Sequence, residues 1–300
     1  VYLCKSKQIA QTKAGKDYGN LVLQDKTGTI DSKIWDLGSP GICNFEAMDY
    51  VAVDADVTMF QGNNQLNIRR IRVADEGEYI PADYLPVSTK DIPKMYEELV
   101  GYVKSIKNPY LNKLAAGYFV DDPAFAKAFQ FHSAAKSVHH GFVGGLLEHT
   151  LSVTDMCQYF AEHYPMIHRD LLITAALFHD MGKIQEISDF PMNDYTDDGQ
   201  LLGHIYIGAR CMENAAAQIP NFPPKLKNEL VHCILAHHGK MEFGSPKVPA
   251  IMEAMALHMA DNADAKLQTL TEVFTQAGDN MGWLGFNRMF ESNLRKTSEE

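Results

Sequence analysis

The chain has 300 residues, of which 46% are hydrophobic and 22% charged, and its formal net charge is −11. This length is typical of two domains, and the acidic balance argues against a protein that binds nucleic acid through a broad positive field. The acidic excess lies mostly after Ala82, so any nucleic-acid binding must be local.

Membrane and secretion signals are missing from the sequence. No apolar run approaches the roughly 20 residues that a membrane-spanning helix needs, so we expect no membrane association. The first residues alternate like a strand and lack the apolar stretch of a signal peptide. The five cysteines are odd in number and form no CxxC pair, which predicts reduced thiols in a cytoplasmic protein.

The first eighty residues are rich in β-branched and aromatic residues, in short runs that turn residues separate. About five strands and one short helix in this length predict a closed barrel of the OB type over residues 1–80. Besides the N-terminal strand, the predicted strands cover 18–24, 28–35, 51–60 and 66–73, and the short helix covers 45–48.

Prolines mark a linker over residues 81–93, and beyond it the hydrophobic period changes to about 3.6 residues. Residues 94–300 are therefore predicted to form an all-α domain, and the fold class is a multidomain protein with a β part before an α part. The predicted helices cover 95–107, 108–119, 123–129, 146–163, 169–186, 204–218, 225–238, 248–274 and 286–294.

All twelve histidines lie in this helical part, and several share an apolar helix face. A single inward histidine is usually a hydrogen-bonded core residue, and a single inward aspartate usually caps a helix or pairs with arginine. Seven such residues on successive helical segments favour a metal site instead, because the helices of a bundle can converge their side chains on one interior point. Imidazole and carboxylate together suit manganese, iron, cobalt, nickel or zinc. The seven are His149, His179, Asp180, His204, His237, His238 and Asp261.

The segments GGLLEHTLSV, LFHDMGK, LLGHI, LAHHG and HMADNAD resemble the ordered H…HD…H…HH…D pattern of the HD superfamily. With LQDKTGTIDSKIWD and HHGFVGGLLEHT, the likeness covers nearly the whole chain and resembles the YhaM family of bacterial 3′→5′ exoribonucleases. The resemblance implies an OB domain before an HD phosphohydrolase domain. It also implies one ion, expected to be manganese, on His149, His179, Asp180 and Asp261, and a second on His204, His237 and His238 with Asp180 bridging.

This resemblance predicts hydrolysis of single-stranded RNA, or DNA, from the 3′ end to nucleoside 5′-monophosphates, with attack by a metal-activated hydroxide. One helical turn past His179, Lys183 is placed to neutralise a phosphate oxygen, and its alternative role is that of a solvated lysine at a helix end. His139 and His140 are candidates to contact the phosphate or protonate the leaving oxygen, or else to stabilise a loop. His258 is expected either to orient Asp261 or to fill the core.

Several aromatic and basic residues are candidates to contact the nucleic acid. OB barrels bind single strands with aromatic and basic side chains on one face, although such aromatics often fill a core instead. The candidates are Lys33 and Trp35 on one strand, Arg70 and Arg72 on another, and Tyr195 between two helices.

Two other functions stay open at this point. The first is an HD phosphohydrolase or phosphodiesterase acting on nucleotides or cyclic dinucleotides, although HDMGK is followed by IQEI and not by a GYP element. The second is a non-catalytic single-strand-binding protein, although none of the seven expected ligands is missing. A homo-oligomer, and the role of residues 281–295, are also open.

Overall fold

The computed structural model describes residues 1–60, 63–80, 83–136 and 140–298. The chain divides into two compact units, Val1–Val87 with Phe190–Met192, and Ser88–Asp189 with Asn193–Glu300. Each unit has a hydrophobic core of its own. None of the helices in the described ranges combines the length and the apolarity that crossing a bilayer requires.

The first unit is a closed barrel of five strands, in the order β1-β2-β3-β5-β4. Neighbouring strands are antiparallel except β3 and β5, which run parallel, and pairing of β1 with β4 closes the barrel. This order confirms the predicted OB-type barrel. The strands are β1 (Tyr2–Gln11), β2 (Asp17–Asp25), β3 (Gly28–Ile34), β4 (Tyr50–Phe60) and β5 (Asn63–Val73).

Alternation along the strands decides which side chains fill the barrel. In β3, Ser32 and Ile34 point into the interior, and Lys33 between them points outward. Because Asn20 of β2 pairs with Lys33, the outward faces of these two strands form one continuous surface. The barrel core is completed by Cys4, Leu21, Leu23, Phe45, Val51, Leu66, Ile68 and Ile71.

The short helix expected over 45–48 is wrong, because this segment forms an irregular turn. Phe45 is buried in the barrel core, which fixes one end of the segment. Met48 has a φ of 75°, in the left-handed region, and its backbone N–H donates to the carbonyl of Cys4 at 2.7 Å. The chain therefore reverses towards β4 before a helical turn can close.

The second unit is built of nine α-helices within the described residues. The first three begin where an Asp or Asn side chain caps the backbone and a proline occupies the first turn, a position that needs no backbone donor. The helices are α1 (Ile92–Ser105), α2 (Pro109–Phe119), α3 (Pro123–Phe131), α4 (Gly145–His163), α5 (Arg169–Phe178), α6 (Lys183–Glu186), α7 (Asp197–Gln218), α8 (Pro224–Ala236) and α9 (Met252–Gln276).

Helix α5 is the centre of this unit. It packs against α4, α8 and α9, and every residue from Leu171 to Phe178 is buried. A helix that is apolar on all sides is stable only when protein surrounds it. The residues that directly follow α5, His179 and Asp180, are consequently held in the protein interior, where they are less than 2% exposed.

Three predicted helices differ from the structure. The helix expected over 169–186 is interrupted after Phe178 by turns, in which Met181 and Lys183 donate to the carbonyls of Phe178 and Asp180. The helix expected over 204–218 begins earlier, at Asp197, because Thr196 caps it.

The helical domain predicted after the barrel is confirmed, but the helix expected over 286–294 is wrong. This segment forms a hairpin of β6 (Phe286–Asn287) and β7 (Ser292–Asn293). The side chain of Asn287 accepts the N–H of Met289, and Glu291 has a φ of 48°. This local turn replaces the helical hydrogen bonds.

Candidate metal centre

The seven predicted ligands meet in the interior of the second unit. They come from three helices, α4, α7 and α9, and from the turns after α5 and α8. Four of them line a cavity of about 570 Å³, namely His149, His204, His238 and Asp261. The innermost residues are fully enclosed, since His179, Asp180 and His237 are at most 1% exposed. The sequence pattern therefore corresponds to one place in space.

The carboxylate of Asp180 lies at the middle of this group. Its Oδ2 atom is 3.3 Å from Nε2 of His149 and 3.5 Å from Nε2 of His179. Its Oδ1 atom is 3.5 Å from Nε2 of His204 and 3.6 Å from Nε2 of His237. The two oxygens of one carboxylate thus face two different pairs of histidines.

Two clusters with ligand spacing result. The first cluster consists of His149, His179 and Asp261, and the second cluster of His204, His237 and His238. Within each cluster, the potential ligand atoms lie within 4.8 Å of one another. Among the described residues, Oδ1 of Asp180 and the Nε2 atoms of His204 and His237 are buried without a hydrogen-bond partner, while Oδ2 of Asp180 pairs with the ammonium of Lys183. Buried polar atoms are rarely left unpaired, and no atom of the described chain pairs with these three. The arrangement therefore fits divalent ions that would be their partners.

The outer ring nitrogens explain how the imidazoles are oriented. Nδ1 of His179 donates to the carbonyl of Ala176 at 2.7 Å, and Nδ1 of His237 donates to that of Ile234 at 2.6 Å. Nδ1 of His238 similarly lies 2.8 Å from the carbonyl oxygen of Phe243. Because a carbonyl only accepts, the proton resides on Nδ1 and the lone pair of Nε2 points towards the centre.

The electrostatics of the centre favour bound cations. Burial lowers the pKa of His179 and of His238 to about 4, so both rings are neutral near pH 7, in the form that binds metals. Burial opposes ionisation of Asp180, but Lys183 and the neighbouring histidines hold its pKa well below its usual range. Burial likewise opposes ionisation of Asp261, and His149 lowers its pKa.

Lys183, a predicted catalytic residue, lies at the same centre. Its Nζ atom is 2.7 Å from Oδ2 of Asp180, and its side chain is only 16% exposed. These values do not fit the alternative of a solvated lysine at a helix end. Although burial lowers the pKa of Lys183, Asp180 raises it more, so the ammonium stays charged beside the cavity.

The predicted histidine pair before α4 is only partly described. His139 lies outside the described residues. His140 lines the cavity and is 2% exposed, with Nε2 3.0 Å from Oδ2 of Asp264. His258 also lines the cavity, but its Nδ1 contacts the carbonyl oxygen of His237 at 3.0 Å, so it supports the backbone of the second cluster.

The predicted substrate contacts lie in two places. Tyr195 is 45% exposed and lines the cavity of the second unit. On the barrel, Trp35 stacks on Tyr18 with ring centroids 5.0 Å apart, and Nζ of Lys33 lies 5.7 Å from the Tyr18 ring. Tyr18, Lys33 and Trp35 therefore form one outward surface, which we name the aromatic patch.

The two barrel arginines are less alike than their spacing suggested. Arg70 is exposed on β5. Arg72 donates two hydrogen bonds of 2.7 Å to the carboxylate of Glu78, which neutralises its charge. The structure thus leaves Arg70 as the better basic candidate of the pair.

Two carboxylates at the centre were missed from the sequence. Asp264 accepts from Nδ1 of His149 at 2.6 Å, and Glu186 contacts Nδ1 of His204 at 3.0 Å. Asp264 lies three residues after Asp261, so helical spacing alone could have placed both on one face. Glu186 offered no such signal, because the interruption after α5 was not predicted.

Comparison with known proteins agrees with this geometry. The HD domain family matches residues 146–266, which include all seven predicted ligands. The 3′-5′ exoribonuclease YhaM of Bacillus velezensis is 37% identical over 268 residues, covering 89% of this chain and 84% of that protein. The chain belongs to the YhaM family. The YhaM protein of Bacillus subtilis is 35% identical over 274 residues with the same coverage, and no solved structure matches the chain significantly.

In this member of the YhaM family, a close contact between α6 and α7 places His204. A Cβ atom on Gly182 would lie 2.1 Å from the carbonyl oxygen of His204, so only glycine permits this approach. Gly203 has a φ of 73° and kinks α7 directly before His204. The kink turns the backbone N–H and the ring of His204 towards Glu186.

We predict that Gly182→Ala moves His204 away from the centre and weakens binding of a divalent ion by the second cluster. Overpacking of this kind typically costs about 1–3 kcal/mol in the free energy of unfolding. Equilibrium dialysis with Mn²⁺ and elemental analysis would measure the ion content, and urea denaturation the stability. The control is Gly101→Ala on α1, where a Cβ meets nothing within 4 Å and no loss is expected. Wild-type ion content in Gly182→Ala would contradict the prediction.

Proposed function

We propose that the chain is a metal-dependent 3′-5′ exonuclease that hydrolyses single-stranded RNA to nucleoside 5′-monophosphates. The observation that carries the proposal is the buried Asp180 carboxylate, whose two oxygens face the two histidine clusters. The named relatives, which are 3′-5′ exoribonucleases, supply the reaction class.

The residues proposed to hold two ions follow from the two clusters. The first cluster and Asp180 would hold one ion, and the second cluster and Asp180 the other, with manganese preferred among the transition metals that suit such ligands. When bound, two divalent ions supply a water that ionises near neutral pH and neutralise charge on phosphate oxygens.

The remaining side chains of the cavity act on the substrate. Lys183 lies beside Asp180 with a charged ammonium, and it would donate a charge-assisted hydrogen bond to a non-bridging phosphate oxygen. His140 lines the cavity, and its buried Nδ1 has no hydrogen-bond partner among the described residues. We therefore assign it to the phosphate or to protonation of the leaving 3′ oxygen, and His139 keeps the same assignment from its sequence position.

Binding of a polymer is the part of the proposal that the barrel supports. Base stacking on exposed aromatic rings is tolerant of sequence and is typical of single-strand binding by OB barrels. The aromatic patch offers two stacked rings and a lysine, with Arg70 as a further basic residue and Tyr195 as a stacking partner at the cavity. A hydrolase for free nucleotides or cyclic dinucleotides would leave this patch without a use, and a non-catalytic binder would not need the converged ligands.

The state of the cysteines fits the reducing cellular compartment in which we propose that the enzyme acts. All five are free thiols, and Cys4, Cys157 and Cys233 are buried. Burial raises the pKa of Cys4 to about 11, so its thiol is unreactive near neutral pH. A reducing cytoplasm, with single-stranded RNA as the main partner, is the proposed setting.

We predict that the purified chain, supplied with Mn²⁺, degrades a single-stranded RNA of about 20 nucleotides from its 3′ end. A 3′-terminal label should appear first as a mononucleotide, while a 5′-labelled strand shortens through a ladder. Asp180→Asn removes the charge between the clusters and should lower the rate at least about 100-fold. An intact strand with every divalent transition metal, or faster hydrolysis of a cyclic dinucleotide than of the RNA, would contradict the proposal.

We predict that Trp35→Ala weakens binding of single-stranded RNA while the chemistry at the metal centre is unchanged. Loss of one stacked base costs about 1–3 kcal/mol, which is about 5- to 150-fold in Kd. The KM for a 20-nucleotide RNA should rise, and kcat on a dinucleotide should stay constant. The control is Val57→Ala, an exposed barrel residue on β4 outside the aromatic patch. Equal effects of both substitutions would remove the patch from the proposed substrate path.

A further inference from the structure

Each of the two clusters contains one histidine whose outer nitrogen contacts a carboxylate. In the first cluster, Nδ1 of His149 lies 2.6 Å from Oδ2 of Asp264. In the second cluster, Nδ1 of His204 lies 3.0 Å from Oε1 of Glu186. The outer nitrogens of the other three histidines contact backbone carbonyls instead.

Asp264 is held in place by several donors. It is buried on α9, one turn after Asp261, and is 8% exposed. The hydroxyl of Ser152 donates to Oδ1, while His149 and His140 both contact Oδ2. Three donors on one buried carboxylate leave it little freedom, so the direction in which it holds the His149 ring is fixed.

This arrangement indicates a hydrogen bond and not a third ion between His140, His149 and Asp264, although their ligand atoms lie close enough to suggest one. Two atoms bound to the same transition-metal ion at about 2.1 Å are themselves about 3 Å apart or more. The 2.6 Å between Nδ1 of His149 and Oδ2 of Asp264 is shorter than that and matches a charge-assisted hydrogen bond.

In the second cluster, Glu186 holds the ring of His204 as Asp264 holds that of His149. It lies at the end of α6 and is 8% exposed. Its Oε1 atom lies 3.0 Å from both the backbone nitrogen and the ring Nδ1 of His204. One oxygen therefore fixes the backbone and the imidazole of His204 at the kink after Gly203.

We propose that Asp264 and Glu186 are positioning residues, each serving one of the two ions. Asp264 orients His149 for the ion of the first cluster, and Glu186 orients His204 for the ion of the second. A carboxylate that accepts the Nδ1 proton fixes the tautomer, directs the Nε2 lone pair to the ion and makes that nitrogen more basic. The inference rests on the proposed two-metal function.

The test uses the full chain with Asp264→Asn and Glu186→Gln, which keep the size of each side chain. An amide can donate to the ring nitrogen, so it favours the tautomer that cannot bind an ion through Nε2. Mn²⁺ affinity and stoichiometry are measured by equilibrium dialysis, and the absorption spectrum of bound Co²⁺ reports the ligand geometry. Each substitution should weaken one ion by about 10- to 100-fold and leave the other in place.

Combined substitutions identify which ion is affected. Asp264→Asn should add little to the loss in His149→Ala but should add fully to the loss in His204→Ala, and Glu186→Gln should show the reverse. Ser152→Ala removes one donor to Asp264 and should give a smaller loss on the same ion, which keeps the inference testable if Asp264→Asn fails to fold.

The matched control is Glu148→Gln on α4. Glu148 is also 8% exposed and hydrogen-bonded, but its partners are Ser88 and Lys90. The Glu148→Gln variant should bind both ions with wild-type affinity. The inference is overturned if Asp264→Asn and Glu186→Gln also keep that affinity, or if all three substitutions weaken both ions equally. A wild-type chain that binds two ions and spares RNA would contradict the proposed function but not the positioning roles.

Discussion

The buried carboxylate of Asp180 is the constraint on which the second unit depends. Removing an ionised carboxyl from water is costly unless other groups compensate for the lost hydration. Here Lys183 contributes one positive charge, and the Nε2 atoms of four histidines surround both oxygens. Cations bound between these atoms would replace the rest of the hydration that the carboxylate of Asp180 has lost. Without them, burial of this carboxylate is unfavourable for the stability of the fold.

The fold explains how these groups reach one point. Because α5 is apolar on all sides, it must lie at the centre of the helices, and the residues that end it enter the interior. The helix then ends in turns after Phe178, and the close contact between Gly182 and the backbone of His204 brings the His204 ring to Asp180. The two sides of the centre thus come from different segments, and the carboxylate of Asp180 lies between them.

The sequence was sufficient to predict the barrel, most helices and the convergence of the seven predicted ligands on one place. Hydrophobic patterns with a period of 2 or 3.6 residues report which face of a strand or helix is buried, and the ordered HD pattern indicated which residues to expect as ligands. The failures have a different origin. Phe45 fills the barrel, Met48 takes a left-handed conformation and the chain turns at residues 287–291, all of which depend on contacts that periodicity does not encode.

The same reason accounts for the missed carboxylates. Asp264 and Glu186 act through hydrogen bonds to ring nitrogens, and these require the relative positions of separate helices. The prediction for Lys183 was made from helical spacing that the structure does not have, since the helix ends at Phe178. The residue reaches Asp180 because the turn after α5 brings it back.

The central claim is that Asp180 would be a ligand to an ion on each side, and anomalous diffraction from crystals grown with Mn²⁺ tests it most directly. The account predicts two anomalous peaks, one on each side of Asp180, within about 2.0–2.3 Å of the Nε2 atoms of the adjacent cluster. A single peak between His140, His149 and Asp264, or the lack of any peak beside Asp180, would contradict it.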